Sequence, residues 1–315
     1  MRALITGGAG FIGSHIVEQL LEQGHEVAVL DNLSTGRREN VPRGVKLYEV
    51  DLRDREGTLR AVLDFRPDTV SHQAAQASVV VSVREPKLDA EVNLIGGLNL
   101  LDACTAQGAR VERVVFASTG GAIYGEVPEG ERAGEDTVPA PKSPYAIHKL
   151  AFEQLLAVYT THRNLASTVL RYANVYGPRQ DPHGEAGVVA IFFDSVLSGR
   201  PLRINARREA GDPGCVRDYV YVADVARANV MALSGAIPQR AMNVGTGSTT
   251  TTRELCEAIQ KVAGRRVEVQ AGPPRAGDLE RSVLDPTSCR AALGELCSLG
   301  QGIALTHAYF SAQSR

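Results

Sequence analysis

Tyr145 and Lys149 form a Tyr-x-x-x-Lys pattern at the start of a predicted helix. A separation of four residues places both side chains on the same helical face. A nearby ammonium group favours phenolate over phenol and lowers the pKa of the tyrosine towards neutral pH, as a general base requires. Ser118 and Thr119 follow a predicted strand and could supply a hydroxyl group to such a site. A pair on the protein surface is the other interpretation of this spacing.

A glycine-rich loop follows the first predicted strand and opens directly into a helix. Gly7, Gly10 and Gly13 form a Gly-x-x-Gly-x-x-Gly pattern. Missing β-carbons let the backbone approach a pyrophosphate, and the helix N-terminus supplies N–H donors and partial positive charge. Taken alone, the motif also fits a tight strand-to-helix turn. Asp31 ends the second predicted strand, about 20 residues further on, where a carboxylate accepts both hydroxyls of a ribose. The combination predicts a bound dinucleotide.

Asp31 also predicts which dinucleotide is bound. A carboxylate at this position repels a 2′-phosphate, so NAD is predicted rather than NADP. Arg37 and Arg38 follow closely and could bind that phosphate, but two arginines in a polar loop more often form a solvated face. With a dinucleotide loop upstream, catalysis becomes the favoured interpretation of Tyr145 and Lys149.

Short β-branched segments alternate with helical patterns through the first half of the chain. This alternation predicts an α/β fold, a Rossmann-type doubly wound parallel sheet. We expect helices over residues 11–23, 88–107 and 144–162. After residue 172 the pattern becomes irregular, with long loops predicted at 177–187 and 205–214. The predicted strands are 2–6, 26–31, 46–49, 69–72, 113–117 and 166–172.

Length and composition describe an ordinary globular protein. The 315 residues predict about two domains, and 43% hydrophobic with 22% charged residues exclude a disordered or fibrous chain. A formal net charge of -2 leaves no basic excess for binding nucleic acid.

The five cysteines are scattered without Cys-x-x-Cys spacing, which favours free thiols in a cytoplasm. The histidines do not have the spacing of a metal site.

Membrane association and secretion are also disfavoured. The longest strongly apolar runs fall far short of the roughly 20 residues that span a bilayer. A strand that begins at residue 2 leaves no room for a cleavable signal peptide. We therefore expect a cytoplasmic protein with neither a membrane nor a nucleic-acid partner.

The motifs together resemble the extended short-chain dehydrogenase/reductase family. Within it they resemble the nucleotide-sugar branch, in particular the UDP-glucose 4-epimerases, and the match covers almost the whole chain. The segments that carry the resemblance are 7–13, 31–32, 51–52, 93, 118–119 and 145–149, then 170–178, 214–220, 243–245 and 275–278.

The resemblance implies NAD-dependent epimerisation at carbon 4 of a UDP-hexose through a transient 4-keto sugar. It implies a smaller mixed α/β substrate-binding domain beside the Rossmann domain, and a homodimer paired through its long helices. The NAD-binding domain would span 1–172 with a returning segment at about 217–242. The nucleotide-sugar-binding domain would span 173–216 and 243–315.

The resemblance also assigns roles to individual residues. Tyr145, Lys149 and Thr119 would be catalytic, and the sequence leaves open whether Thr119 or Ser118 carries the catalytic hydroxyl. The residues expected to bind NAD are Gly7, Gly10, Phe11, Ile12, Gly13, Asp31, Asn32, Asp51, Leu52, Ala74, Asn93, Tyr145 and Lys149. The residues expected to bind the UDP-sugar substrate are Ser118, Thr119, Asn174, Arg217, Arg275 and Asp278.

Two of the expected substrate residues have an independent physical rationale. Arg217 and Arg275 carry guanidinium groups, which are always charged and present a planar fork of donors that suits a pyrophosphate. Each could instead be a structural ion-pair residue. Asp278 is a candidate acceptor for the uridine ribose, and it could equally cap a turn.

Several other functions compete with 4-epimerisation. Nucleotide-sugar 4,6-dehydratases carry Asp-Glu directly after the Ser/Thr, where this chain has Gly120 and Gly121. A plain NAD-dependent oxidoreductase and a silent NAD-bound protein are further alternatives, since a fold alone does not prove activity. By the resemblance, Ser282 occupies the position whose bulk limits the room at sugar carbon 2, and Ala173 is smaller than the aromatic residue of some relatives. The resemblance therefore implies a roomy sugar pocket, with UDP-N-acetylhexosamines and UDP-uronates as alternative substrates.

Overall fold

The computed structural model describes residues 1–183, 187–275 and 277–313. By packing, the chain divides into two units, and each is described by itself. Unit 1 comprises Met1–Thr119, Pro141–Arg171 and Ala226–Met242, and unit 2 comprises Gly120–Ala140, Tyr172–Val225 and Asn243–Arg315. The predicted NAD-binding and nucleotide-sugar-binding domains are functional divisions, and their boundaries stay predictions.

Fourteen strands and twelve α-helices lie in the described residues. The strands are β1 (Arg2–Thr6), β2 (Glu26–Asp31), β3 (Lys46–Glu49), β4 (Thr69–His72), β5 (Arg113–Thr119), β6 (Ala166–Tyr172), β7 (Asn174–Tyr176), β8 (Leu202–Asn205), β9 (Val216–Arg217), β10 (Tyr219–Tyr221), β11 (Ala241–Val244), β12 (Thr250–Thr251), β13 (Val269–Gly272) and β14 (Arg281–Ser282). The helices are α1 (Phe11–Glu22), α2 (Arg55–Phe65), α3 (Val79–Arg84), α4 (Pro86–Ala90), α5 (Gly97–Cys104), α6 (Gly120–Ile123), α7 (Pro144–Arg163), α8 (Val188–Ser198), α9 (Val222–Leu233), α10 (Thr252–Ala263), α11 (Thr287–Leu293) and α12 (Leu299–Gln313).

A seven-stranded sheet forms the centre of the fold, in the order β11-β6-β5-β4-β1-β2-β3. Strand β1 pairs in parallel with β2 and β4, β2 with β3, and β4 with β5. The predicted doubly wound α/β fold is confirmed, and all six predicted strands are present. β5 runs two residues further than predicted, and β11 adds a seventh strand at the edge. The strand order reverses between β1 and β4, which is where doubly wound sheets bind their ligands.

Two of the three predicted helices match α1 and α7 to within a residue, and the third differs. The predicted helix over 88–107 is α4 and α5 joined by a π-helical segment, Glu91–Gly96, and it ends at Cys104. A Cβ atom on Gly97 would lie 2.3 Å from the Phe152 ring, so α5 approaches α7 as closely as only glycine permits. The charged helix α2 was not predicted.

The core of unit 1 lies between the sheet and the helices that cover it. It contains Leu4 of β1, Phe116 of β5 and Phe152 of α7, all with 1% or less of their surface exposed. Burying large apolar side chains is the main favourable contribution to folding, at about 25 cal/mol for each Å². This core therefore fixes the carboxyl ends of β1, β4 and β5 against the start of α7.

Unit 2 contains three small sheets. They are β7 with β10, β8 with β13, and β9 between β12 and β14. In the predicted loop at 205–214, the Asp212 carboxylate accepts hydrogen bonds from backbone N–H groups, among them those of Arg207 and Gly214. In the predicted loop at 177–187, residues 184–186 lie outside the described residues. Within the described ranges, no helix combines the length and apolar character needed to cross a membrane.

Candidate active site

The glycine loop between β1 and α1 is packed too tightly for side chains. Gly7 has φ +66°, and a Cβ atom there would lie 2.7 Å from the backbone nitrogen of Ala74. A Cβ atom on Gly13 would lie 2.2 Å from the carbonyl oxygen of Gly7. Because contacts below 3 Å do not occur for real Cβ atoms, these two glycines are required by the turn itself.

Gly10 has a different environment, because its position faces open space. Its missing Cβ atom would approach only the Gly7 carbonyl, at 3.2 Å. Gly10 is also the N-cap of α1, and no side chain in the described residues caps this helix. The N–H groups at Phe11 and Ile12 are thus presented without a side-chain acceptor, as a pyrophosphate requires. The loop fits the phosphates of NAD.

Asp31 lies at the end of β2, with 6% of its surface exposed. Its carboxylate accepts hydrogen bonds from the backbone N–H groups of Ala9 at 3.0 Å and Leu33 at 2.8 Å, one to each oxygen. Burial raises the pKa of this carboxyl group, whereas the two backbone bonds lower it. Each oxygen keeps a second lone pair for a ribose hydroxyl. Arg38, which could have bound a 2′-phosphate, is paired with Glu49.

Three of the residues expected to bind NAD, Asn32, Asp51 and Leu52, belong to a small hydrogen-bonded group. Asn32 donates to Asp51 at 2.9 Å, and Arg53 donates to both oxygens of the same carboxylate, at 3.0 and 2.8 Å. These bonds, with the Arg53 side chain as the largest cause, hold the pKa of Asp51 far below its usual range. Asn99 donates to the carbonyl of Leu52 at 2.8 Å. The segment is therefore fixed before any ligand binds.

Asn93 fixes the chain that follows β4. Its amide oxygen accepts from the N–H of Gln76 at 3.2 Å, and its amide nitrogen donates to the carbonyl of the same residue at 2.9 Å. Ala74, two residues earlier, donates its N–H to the hydroxyl of Thr6 at 3.2 Å. The Asn93 side chain therefore holds the backbone of Gln76 in place, and with it the segment after β4 that contains Ala74.

Tyr145 and Lys149 occupy the first turns of α7. Ser143 caps the helix by accepting from the N–H of Ala146 at 3.3 Å, and Pro144 follows at the first helical position. Lys149 is buried, and its ammonium donates to the carbonyl of Ala117 at 3.0 Å. The same nitrogen lies 4.8 Å from the ring centroid of Phe116 and 5.9 Å from that of Tyr145.

The two candidate hydroxyl groups at the end of β5 have different surroundings. Ser118 is buried and donates to Glu153 at 2.5 Å, and Glu153 forms a buried ion pair with Arg171 at 2.7 Å. Thr119 is half-buried, and its hydroxyl has no hydrogen-bond partner in the described part of the chain. Glu153 was not singled out from the sequence, although the spacing of Tyr145, Lys149 and Glu153 on one helical face could have indicated it.

His72, the last residue of β4, is buried beneath Lys149. Its ring lies 5.6 Å from that of Phe116 and 5.4 Å from that of Phe152, and its Nδ1 is 2.8 Å from the hydroxyl of Thr6. Burial, followed by the charge of Lys149, lowers the pKa of His72 to about 3. His72 is therefore neutral in the folded protein near neutral pH.

This shift predicts acid destabilisation. An unfolded histidine takes up a proton near pH 6.5, whereas folded His72 stays neutral down to about pH 3. Between these values the unfolded state binds more protons, so the free energy of unfolding falls as pH falls, by up to about 1.4 kcal/mol for each pH unit. We expect His72→Leu to remove this pH dependence of the free energy of unfolding. The measurement is urea unfolding at pH values between 6 and 4, monitored by circular dichroism. Exposed His162→Gln should keep it, and equal slopes in the two variants would contradict the assignment.

A second cluster links α7 to the segment after β4. His148 Nδ1 lies 2.5 Å from Oδ1 of the fully buried Asp89, whose other oxygen accepts from Gln76 at 2.5 Å and Asn93 at 3.1 Å. His148 precedes Lys149 in the Tyr-x-x-x-Lys pattern. The sequence offers no signal for its partner, because Asp89 lies 59 residues away.

Unit 2 contains four of the expected substrate residues, two in strands and two in a turn. Asn174 of β7 pairs with Tyr219 of β10, and Arg217 lies in β9. The Arg217 guanidinium donates to the carbonyl of Leu279 at 2.6 Å, next to Asp278. Arg275 and Asp278 form a turn, with their charged groups 4.0 Å apart. Ala276 of the same motif lies outside the described residues.

Two further residues bear on substrate choice. Ser282 is buried in β14, and its carbonyl accepts from the N–H of Asp218 at 3.1 Å. Ala173 is buried between β6 and β7. No cluster of histidine, cysteine, aspartate and glutamate that could hold a metal occurs in residues 1–183, 187–275 and 277–313.

Comparison with known proteins shows the family to which the chain belongs. The family model described as "NAD dependent epimerase/dehydratase family" matches residues 3–245, and the match covers most of the chain. The chain belongs to this NAD dependent epimerase/dehydratase family. The predicted resemblance to nucleotide-sugar epimerases and the predicted NAD cofactor are confirmed.

Individual relatives within the epimerase/dehydratase family are similar over their full length. A UDP-glucose 4-epimerase from Mycolicibacterium smegmatis is 44% identical, over 100% of each chain. The solved structure of Thermus thermophilus UDP-glucose 4-epimerase in complex with NAD is 61% identical, covers 99% of each chain and has a TM-score of 0.94. That of the Thermotoga maritima UDP-glucose 4-epimerase with UDP-glucose is 45% identical, covers 100% of each chain and has a TM-score of 0.91.

Proposed function

We propose that this protein is an isomerase that inverts carbon 4 of a UDP-hexose of the UDP-glucose and UDP-galactose type, with tightly held NAD. The observation that carries the proposal is the buried Lys149 ammonium, held between the Ala117 carbonyl and the rings of Phe116 and Tyr145. A fixed cation beside a phenol favours the phenolate, which is the form that removes a proton. The similarity to UDP-glucose 4-epimerases supports the substrate class.

The chain's own residues supply binding and proton transfer. The glycine loop and Asp31 hold NAD, which when bound supplies a reversible hydride acceptor. Tyr145 removes the proton of the sugar 4-hydroxyl, and Thr119 donates a hydrogen bond to the same oxygen. Tyr145 returns the proton after the 4-keto sugar has turned over. The net reaction inverts one carbon without net oxidation.

Thr119 is the catalytic hydroxyl in this proposal, and Ser118 has a supporting role. The Ser118 hydroxyl donates to Glu153, which Arg171 holds in turn. This buried group fixes the end of β5 against α7. The hydroxyl of Thr119, one residue further along, has no such partner in the residues described.

The UDP moiety is assigned to unit 2. Arg217 and Arg275 would bind the diphosphate through their guanidinium groups, and Asn174 and Asp278 would bind the rest of the nucleotide. A sugar held mainly through its diphosphate can rotate, which the inversion requires. Dehydration of the sugar is not favoured, since Gly120 and Gly121 stand where dehydratases carry an acid and a base.

Incubation with UDP-galactose or UDP-glucose alone, without reductant, tests the function. We expect both reactions to reach the same mixture of the two epimers on chromatography. A third arm with UDP-N-acetylgalactosamine tests the roomy pocket that Ser282 and Ala173 suggest. Unchanged substrate would contradict epimerisation. Stoichiometric release of reduced nicotinamide would identify an oxidoreductase instead.

A homodimer in the cytoplasm completes the proposal. Large apolar side chains are exposed on α3, the π-helical segment and α7: Val80, Val83, Ile95, Ile147 and Val158, at 58, 62, 51, 49 and 52%. Ile147 and Val158 are three helical turns apart and share one face of α7. Because α3 and the π-helical segment both pack against α7, these side chains lie on neighbouring elements. Exposed apolar surface of this kind marks an interface, and two copies of it would pair symmetrically. All five cysteines are free thiols, which suits a reducing cytoplasm.

The dimer proposal predicts a change in mass. We expect the wild-type protein to have twice the 33.7 kDa of one chain by light scattering. Ile147→Asp combined with Val158→Asp should give the mass of one chain, because a charge buried at an interface is strongly unfavourable. Leu305→Asp, equally exposed on α12, is the control and should stay dimeric. A dimer that survives both α7 substitutions would contradict this interface.

A further inference from the structure

Unit 2 contains a cavity of about 340 Å³ that none of the proposed NAD or UDP residues lines. Its walls are Arg132, Arg290, Pro286 and the loop 246–249. We refer to it as the arginine cavity. Its polar walls, with two guanidinium groups, distinguish it from an apolar ligand pocket.

Both guanidinium groups line the cavity and are held by the loop 246–249. Nε of Arg132 donates to the carbonyl of Gly247 at 2.9 Å, and Nη2 of Arg290 donates to the carbonyl of Thr246 at 3.0 Å. These acceptors belong to consecutive residues, so the two cations border the same part of the cavity. Each guanidinium has five N–H donors, and most remain for a ligand.

Neither arginine forms an ion pair with a carboxylate among the residues that the structure describes. Asp285 is the nearby acid, and its Oδ1 accepts from the N–H and hydroxyl of Thr287 at 2.9 and 2.6 Å. Those bonds come first among the causes that lower its pKa, and the charge of Arg132 contributes less. Two neighbouring cations without a paired carboxylate repel each other, and a bound oxyanion would relieve that repulsion.

The loop 246–249, which forms one wall of the cavity, is held in place by hydrogen bonds and close packing. Asp218 is buried, and it accepts from the N–H and hydroxyl of Thr246 at 3.0 and 2.6 Å and from the N–H of Gly247 at 3.0 Å. A Cβ atom on Gly247 would lie 2.7 Å from the ring of Pro286. The exposed hydroxyl groups of Ser248 and Thr249 add donors at the rim. A preformed site of this kind costs little reorganisation on binding.

We propose that the arginine cavity binds a phosphate group, either free phosphate or the phosphomonoester of a small metabolite, at a site separate from the nucleotide-sugar site. Guanidinium groups bind phosphate through paired N–H bonds. The volume also admits a small organic group attached to the phosphate. The site does not depend on the epimerase activity.

Calorimetric titration in the presence of saturating UDP tests the proposal. UDP fills the nucleotide-sugar site, so phosphate binding that persists belongs elsewhere. Inorganic phosphate and ribose 5-phosphate are titrated in separate arms at constant ionic strength. Tighter binding of ribose 5-phosphate would identify an organic phosphomonoester as the ligand, and equal affinities would identify free phosphate. Both results support the site, whereas binding that UDP abolishes would overturn it.

Substitutions then locate the binding. Arg132→Gln combined with Arg290→Gln should weaken phosphate binding by about tenfold or more, because both cations that would bind the phosphate are removed. Exposed Arg266→Gln removes a charge in unit 2 outside the cavity and should leave the affinity unchanged. Unchanged affinity in the double variant would overturn the proposal. If that variant does not fold, Ser248→Asp places a carboxylate at the rim and should cause a similar loss.

Discussion

Tyr145→Phe is expected to lower kcat for epimerisation by about a hundredfold or more, as when a general base is removed. The substitution deletes one oxygen and keeps the ring that lies beside the Lys149 ammonium. KM for the UDP-sugar and the amount of NAD that co-purifies should change little, because neither the glycine loop nor Arg217 is altered. Steady-state kinetics with both epimers, together with the NAD content of the purified protein, measures these quantities.

Tyr159→Phe is the matched control for this experiment. Tyr159 lies on the same helix, and its hydroxyl donates to Asp102 at 2.6 Å. Its loss should leave kcat near the wild-type value. Wild-type turnover in Tyr145→Phe would remove Tyr145 from the mechanism. A parallel fall in both variants would show that α7 is sensitive to any substitution.

Gly13→Ala is expected to lower the amount of NAD that the protein retains, and its activity in parallel. The new Cβ atom would lie 2.2 Å from the Gly7 carbonyl, so the turn between β1 and α1 must open. Such overpacking costs about 1–3 kcal/mol, which corresponds to about a tenfold to hundredfold loss of NAD affinity if it is expressed at the loop. NAD content after purification, and titration of added NAD, are the measurements.

Gly300→Ala serves as the control, because apart from its chain neighbours and the backbone of α12 no described atom lies within 4 Å of its Cβ position. This variant should bind NAD normally and melt at or above the wild-type temperature. Normal NAD retention in Gly13→Ala would mean that the loop does not hold the cofactor. If Gly13→Ala loses NAD but melts near the wild-type temperature, the defect lies at the glycine loop.

The sequence was sufficient for the parts of the fold governed by local pattern. Strands β1 to β4 and β6 have the predicted bounds, since each is a short β-branched segment between helical patterns or turns. Helix α7 was predicted to within a residue, because Ser143 and Pro144 mark its start. Helix α2 was missed since its charged residues, such as Arg55 and Arg60, mask the apolar side that packs on the core.

The parts that depend on distant contacts were not predictable. The π-helical segment ends directly before Gly97, which packs against Phe152, and no local pattern in the sequence indicates that contact. The surroundings of Ser118 and Thr119 likewise depend on Glu153, which lies 35 residues from Ser118. The sequence left these two hydroxyls as alternatives, and the contacts of Ser118 are the basis for proposing Thr119.

The most direct test of the proposed mechanism follows the hydrogen at carbon 4 of the sugar. UDP-galactose carrying deuterium at carbon 4 is converted in ordinary water, and the UDP-glucose formed is analysed by mass spectrometry and NMR. We predict that the deuterium stays at carbon 4 of the product, because the same hydride is removed and returned within one site. Loss of deuterium to solvent, or its appearance on another carbon, would contradict the account.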